Sequence, residues 1–340
     1  VTQRADAGAV WANHSSAKLY QKQRWNVNVF FLMSIAWQWI IFHIFLALAL
    51  WLDLGVIHKK PEAVTVKKAL GWSAVWIALA MLFGLGILIL DGHRKATLFY
   101  TGYLVEESLS VDNLFVFFVI FQYFQTPKKY EHRILFWGIL GALVMRLTFI
   151  LAGVVLLDRF HWMTYLLGAF LVYTAVKLAT QKEAQVHPDR NIAYRMLKPW
   201  MATREWESGN FLTRRDGRLL LMPAFVVLSV INVTDIMFAL DSIPAVLGIT
   251  TDPFIVYTSN AMAILGLRSL YSAIGKLIVT FEYLNHGLAI VLGFVGVKML
   301  ISHWYEVPVY VTLLVVVVVL ASTMLSSWWV QRQRNQRQQQ

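Results

Sequence analysis

Cysteine is absent from the 340 residues, which excludes disulfides, zinc–thiolate sites and iron–sulfur ligation. Charge is scarce too: 14% of residues are Asp, Glu, Lys or Arg against 58% apolar, a balance that excludes an ordinary soluble enzyme. No nucleotide-binding motif is evident, so any ATP-driven step would need a partner. No enzymatic activity and no cofactor are expected from these residues.

What the chain has in abundance is long apolar runs. About 20 apolar residues in a helix cross a bilayer. Such runs lie near 35–54, 70–90, 97–122, 134–156, 162–180, 220–248, 254–275, 284–302 and 308–330. The predicted fold class is an all-α integral membrane protein of about nine transmembrane helices, with the lipid bilayer as its first partner. In a soluble protein the net charge of +11 would point to nucleic acid. Here the basic residues are sorted by side instead, and no nucleic-acid partner is expected. The N-terminal segment and the loops after even-numbered spans hold 7 Lys/Arg and the opposite side holds 19. The positive-inside rule therefore puts the N-terminus outside and the C-terminus in the cytoplasm.

The spans divide the chain. Residues 1–34 read as an extracytoplasmic segment without a signal-peptide pattern, and 35–96 as two peripheral spans. A first three-helix unit covers 97–180, a cytoplasmic loop 181–219, a second three-helix unit 220–302, and a ninth span 303–330. The loop, with Pro188, Pro199, Gly209 and Gly217 among mixed charges, reads as a solvated connector. The tail 331–340, QRQRNQRQQQ, reads as disordered near the inner leaflet.

Ionisable residues inside the spans recur in one order. Span 3 carries Glu106, Asp112 and Asn113 in EESLSVDN, and span 6 carries Asp235, Asp241 and Ser242 in DIMFALDS. Arg146 follows in span 4 and Arg268 in span 7, then Lys177 in span 5 and Lys298 in span 8. Each unit holds an odd number of helices, so the second must enter the membrane from the opposite side. Spans 3–5 and 6–8 thus read as an inverted repeat.

A charged side chain at mid-bilayer costs roughly 2.5–3.5 kcal/mol on insertion scales. The four acids must therefore face the bundle interior. One reading pairs them with the four bases as buried ion pairs; a second has some acids bind a substrate while the bases balance charge or gate. Residues six apart on a helix are rotated by about 240°. Glu106 and Asp112 do not share a face of a regular helix, nor do Asp235 and Asp241. Pro244 predicts a break in span 6 that frees the Leu240 carbonyl beside Asp241, with Ser242 capping the following half-helix. The ligand inventory is carboxylate, amide, hydroxyl and carbonyl oxygen with no His in either motif. That favours a hard divalent cation such as manganese, magnesium or calcium over zinc or copper, and leaves manganese, calcium and iron unranked.

At these motifs the chain resembles the TerC/Alx family of bacterial membrane proteins, from about Trp51 through Trp328. The matching stretches are GYLVEESLSVDNLFVF at 102–117, TDIMFALDSIPAV at 234–246, TDPFIVYTSNAMAILGLRSLY at 251–271 and GVKML at 296–300. The family is associated with manganese export and takes its name from tellurium resistance. The resemblance implies a nine-span protein of the bacterial inner membrane with a cation site between the two acidic helices. It marks Glu106, Asp112, Asn113, Asp235, Asp241 and Ser242. Proton exchange is the expected drive, and a homo-oligomer is an open alternative. Two other functions remain in play: a membrane scaffold or assembly factor in metal or tellurium stress, and an exporter of small organic cations.

The chain departs from the family pattern at two positions. Asn232 stands where relatives usually carry Glu, and Glu107 where they often carry Lys. Asn232 shares a helix face with Asp235. Its amide oxygen can ligate manganese but neither neutralises charge nor carries a proton. Glu107 reads as a solvent- or base-paired residue. Asn232→Glu is expected to bind manganese more tightly and to make binding depend more steeply on pH; unchanged affinity together with an unchanged pH profile in a titration of the purified protein would refute this.

Overall fold

The computed structural model describes residues 36–52, 66–180, 191–201, 206, 209–215, 218–277 and 284–337. The N-terminal segment 1–34 and the end of the tail lie outside them. The chain divides into two compact units, 1–59 and 60–340. In the first, α1 (Ala36–Leu52) is an apolar helix in which the His43 ring donates to the Trp39 carbonyl at 2.8 Å.

The second unit runs through α2 (Val66–Asp91), α3 (His93–Tyr123), α4 (Lys128–Arg159), α5 (Met163–Thr180) and the short α6 (Ile192–Leu197). A hairpin of β1 (Leu212–Arg215) and β2 (Arg218–Leu221) follows, then α7 (Pro223–Leu247), α8 (Pro253–Leu277), α9 (Leu284–Ile301) and α10 (Val309–Arg337). Each of the nine apolar stretches read from the sequence falls on one of the long helices. By length and composition α2, α4, α5, α7 and α10 are able to cross a membrane, and α1 and α9 are shorter apolar helices.

The distribution of side chains confirms an all-α integral membrane protein. Large apolar residues such as Ile89 and Leu90 point outward, at 75% and 82% exposure. Thr101, Glu106, Ser110, Arg146 and Asn260 are buried. A soluble protein would reverse this arrangement, because water rather than lipid would meet its surface.

Packing places the polar helices at the centre. α5 lies most extensively against α9, α3 against α8 and α4 against α7, while α2 and α10 pack at the flanks of α3. The α2–α3 turn is made at Gly92, whose φ of +90° suits a residue without Cβ. Tyr100 then donates to the Met81 carbonyl at 2.9 Å and ties the two helices together.

The structure answers three expectations. First, α7 is continuous through Asp235 and Asp241. Pro244 sits in its last turn, four residues before the Gly248 cap; its missing N–H withholds one intrahelical bond from the Leu240 carbonyl without interrupting the helix. No half-helix begins at Ser242. Second, the loop 181–219, long enough for a surface structure of its own, carries one among its described residues. It contains α6, a 3-10 turn at Lys198–Trp200 and the first strand of a hairpin pairing Leu212 with Leu221 and Arg215 with Arg218. Aromatic anchors hold it to the helix ends: the Trp206 indole donates to the Phe124 carbonyl at 3.0 Å and stacks on Tyr130. Third, the tail is helical through Arg337, because Gln and Arg are good helix formers and extending an existing helix needs no new nucleus.

The α5–α9 contact depends on the absence of side chains. A Cβ on Gly168 would lie 3.0 Å from the Gly296 carbonyl oxygen, and one on Gly296 would lie 2.8 Å from that of Gly168. Gly168→Val or Gly296→Val is expected to cost about 1–3 kcal/mol by forcing the helices apart, read as a lower midpoint of thermal unfolding in detergent. Gly71→Ala, which meets nothing within 4 Å, is the control and should hold or raise the midpoint.

Candidate functional site

The site follows from helical periodicity. On α3, Glu106, Ser110 and Asn113 stand at i, i+4 and i+7, one stripe of one face. On α7, Asn232, Asp235 and Ser242 form a corresponding stripe. Most neighbouring hydroxyls are satisfied within their own helices: Thr101, Ser108, Thr234 and Thr258 each donate to the carbonyl four residues back. Ser110 does not, and its hydroxyl is buried without a partner.

Arg146 of α4 lies between the two stripes, 1% exposed. Its Nη1 donates to the Glu106 carboxylate, to Asn260 Oδ1 at 2.9 Å and to Ser242 Oγ at 3.4 Å. Its Nη2 donates to Asp235 Oδ1 at 3.5 Å. One guanidinium thus joins the leading acids of both motifs, which are 129 positions apart in sequence. Asn260 on α8 is oriented by its own amide nitrogen, which donates to the Val256 carbonyl at 3.0 Å and so turns Oδ1 toward Arg146.

The cluster remains polar beyond these bonds. Along the two stripes and on Arg146, the atoms Glu106 Oε2, Asp235 Oδ2, Asn232 Oδ1, Asn113 Nδ2 and Arg146 Nε are buried and have no hydrogen-bond partner among the described residues. Among the described side chains bonded here, two carboxylates meet one guanidinium. Among the described residues no three His, Asp or Glu side chains gather closely enough to hold a metal ion by themselves. Any cation here would have to draw on amide and hydroxyl oxygens as well.

The other expected residues lie elsewhere. Asp241 is turned away from Asp235, as the 240° rotation requires, and accepts from Thr174 Oγ1 of α5 at 3.4 Å. The charge of Lys177, one turn further along α5, also acts on Asp241. Lys298 lines a separate cavity of about 180 Å³ together with Asp158, Thr164, Thr251 and Ser302. Asn232 rests against α4, where a Cβ on Gly141 would come within 2.7 Å of its Oδ1. Glu107 is partly exposed, and its Oε2 is buried without a hydrogen-bond partner among the described residues. The side chains of Asp112 and Arg268 lie outside the described residues, although their backbones belong to α3 and α8.

Sequence reasoning missed Asn260 and Thr174. Asn260 belongs to the polar run Thr258–Ser259–Asn260 within an apolar helix, a signal of the same kind as the acids but without charge to draw attention. Thr174 carries no signal that separates it from any other threonine in a membrane helix.

Removing one partner of a buried ion pair leaves the other uncompensated, at roughly 3–5 kcal/mol. Glu106→Gln is expected to lower stability by that amount. Asp235→Asn, which loosens a 3.5 Å contact, should cost about 1.5–3 kcal/mol. Denaturation of the two variants in one detergent decides; equal losses would mean that Arg146 is not anchored chiefly on Glu106.

Comparison with known proteins agrees with this picture of a polar core in a multi-pass membrane bundle. The profile described as the integral membrane protein TerC family matches residues 91–335, from the end of α2 into α10. A membrane protein of Myxococcus xanthus, STKORF319, is 46% identical over 276 residues, covering 81% of this chain and 86% of its own. A membrane protein of Rickettsia bellii is 37% identical over 276 residues, covering 81% and 91%. Alx of Escherichia coli (strain K12), whose name proposes a membrane-bound redox modulator, is 38% identical over 289 residues, covering 81% and 89%. No solved structure matches the chain. With the family profile covering most of its length, this chain belongs to the TerC family of integral membrane proteins.

Proposed function

We propose that this protein is a secondary transporter that exports a divalent metal cation, manganese foremost, through the acidic site between α3 and α7, in exchange for protons. The observation that carries the reading is the buried cluster itself. Carboxylates of Glu106 and Asp235, amides of Asn113, Asn232 and Asn260, and hydroxyls of Ser110 and Ser242 are held inside a membrane bundle with several oxygens unpartnered. Oxygen donors of this kind suit manganese, calcium or magnesium better than zinc or copper. Polar groups are retained inside a bundle at a cost that a substrate pathway explains.

The packing supports an inverted-repeat reading. Exchanging α3–α5 with α7–α9 turns the α3–α8 contact into the α4–α7 contact and leaves the α5–α9 contact in place, so each of these extensive contacts has its counterpart. In such transporters two units rock around a central site and expose it alternately. Asp241 with Thr174 and Lys177, and the cavity holding Lys298 and Asp158, then form further polar positions along the route. The outward direction and the bacterial inner-membrane setting, with N-terminus outside and C-terminus cytoplasmic, follow from the resemblance and the positive-inside count.

Reconstituted vesicles with a manganese-sensitive dye test the reading. Wild-type protein is expected to move manganese, and Asp112→Ala and Asp241→Ala are each expected to reduce flux at least tenfold. A protein that moves no metal but answers to organic cations in counterflow would be an organic-cation exporter, and one that moves neither a scaffold; both outcomes refute the proposal.

A further inference from the structure

The two central carboxylates already hold a cation, and it belongs to the protein. Resting on the cation-transport reading above, we propose that the Arg146 guanidinium and the transported cation occupy the Glu106–Asp235 site alternately. Arg146 is then a tethered counter-ion, displaced when metal enters and returning when metal leaves.

Three features of the cluster carry this. The first is the identity of the acceptors. Arg146 is bonded to two carboxylates, an amide oxygen and a hydroxyl, drawn from α3, α7 and α8. Those are the hard oxygen donors a divalent cation takes as ligands. The guanidinium sits on the ligand set rather than beside it.

The second feature is how incompletely the guanidinium fills that set. Nη1 serves three acceptors at once, Nη2 reaches Asp235 only at 3.5 Å, and Nε has no partner. Glu106 Oε2 and Asp235 Oδ2 are left over, buried and unbonded. An arginine serving purely as a strut would be expected to engage a carboxylate through two parallel bonds. Here acceptors outnumber what one planar fork can satisfy, so the site retains ligand capacity.

The third is charge. Among the described side chains, one guanidinium meets two carboxylates, whose combined charge a divalent cation in its stead would match. Both cations together would repel one another in a medium of low dielectric. With exclusive occupancy the carboxylates are never without a cation, metal or guanidinium, which a carrier needs if its metal-free form is to reorient within lipid. Arg146 is a positioning residue in this scheme: it makes no bond to the cargo and sets when the carboxylates are free.

The scheme separates two fluxes. Exchange of manganese for manganese never requires an empty site to reorient, whereas net export does. In proteoliposomes carrying radioactive manganese, Arg146→Gln is expected to reduce net efflux at least tenfold and exchange less than threefold. Calorimetric titration with manganese alone should show at least tenfold tighter binding to that variant, because no internal cation competes. Equal or weaker binding, or net efflux and exchange lost in step by a folded variant, would overturn the counter-ion role and leave Arg146 a structural strut.

Should Arg146→Gln fail to fold, Arg146→Lys keeps the charge on a compact head that cannot span all four acceptors. Its manganese affinity should rise a few-fold with net efflux held within fivefold of wild type; weaker binding overturns the inference. Wild-type protein that neither binds nor moves manganese would refute the transport reading itself, and the inference with it. That outcome is distinct from the others, all of which leave wild-type flux intact.

Discussion

The cost of burying charge in a lipid-facing protein governs the centre of this bundle. Glu106 and Asp235 cannot face hydrocarbon, and neither carboxylate has a Lys or Arg within two turns of it on its own helix. Both are compensated across space by Arg146 of α4, with Asn260 of α8 and Ser242 of α7 completing the shell. α3, α4, α7 and α8 must therefore come together at one level, and the remaining helices arrange themselves around that requirement. The flanking hydroxyls bond within their own helices and so ask nothing of their neighbours. Polar demand is concentrated at one point rather than spread along the interface.

Close helix approach makes this arrangement geometrically feasible. Between α5 and α9, Gly168 and Gly296 bring two backbones into contact, and Gly141 of α4 gives Asn232 of α7 the room to lie against it. Small residues at helix crossings are the usual route to association in lipid, where apolar burial offers little drive because the tails are as apolar as leucine. The same principle accounts for the outer face, where Ile, Leu and Val are left exposed without penalty.

Helical rotation divides the acids into separate stations. Because α7 is unbroken, Asp235 faces Arg146 while Asp241 faces Thr174 and the charge of Lys177 on α5. The two acids of one motif serve two places rather than one chelate. Near the ends of α3 and α4 the segment from Asn191 to Phe211 is stitched to the bundle by aromatic contacts, and Asn191 reaches Thr234, the residue beside Asp235, at 3.2 Å. What the sequence presents as a charged connector is thus bonded to α7 through Thr234.

Membrane residence, the long helices and the handful of costly residues were legible in the chain before any coordinates. Hydrophobic length and the penalty on charge are properties of one helix against its solvent, so Glu106, Asp235 and Arg146 could be singled out from their own segments. The rotation that separates Asp235 from Asp241 was equally readable, since it follows from 3.6 residues per turn. The break expected at Pro244 does not form: the residues after it still close the last turn, with the Gly248 N–H donating to the Pro244 carbonyl at 2.9 Å, and the proline alone does not reveal that continuation. That one arginine joins both acids, that an uncharged asparagine on α8 completes its shell, and that aromatic residues fasten 191–211 to the bundle were decided by tertiary structure alone. Which side chain stands opposite another depends on the tilt and depth at which helices cross, and those are fixed by contacts between segments that local pattern does not record.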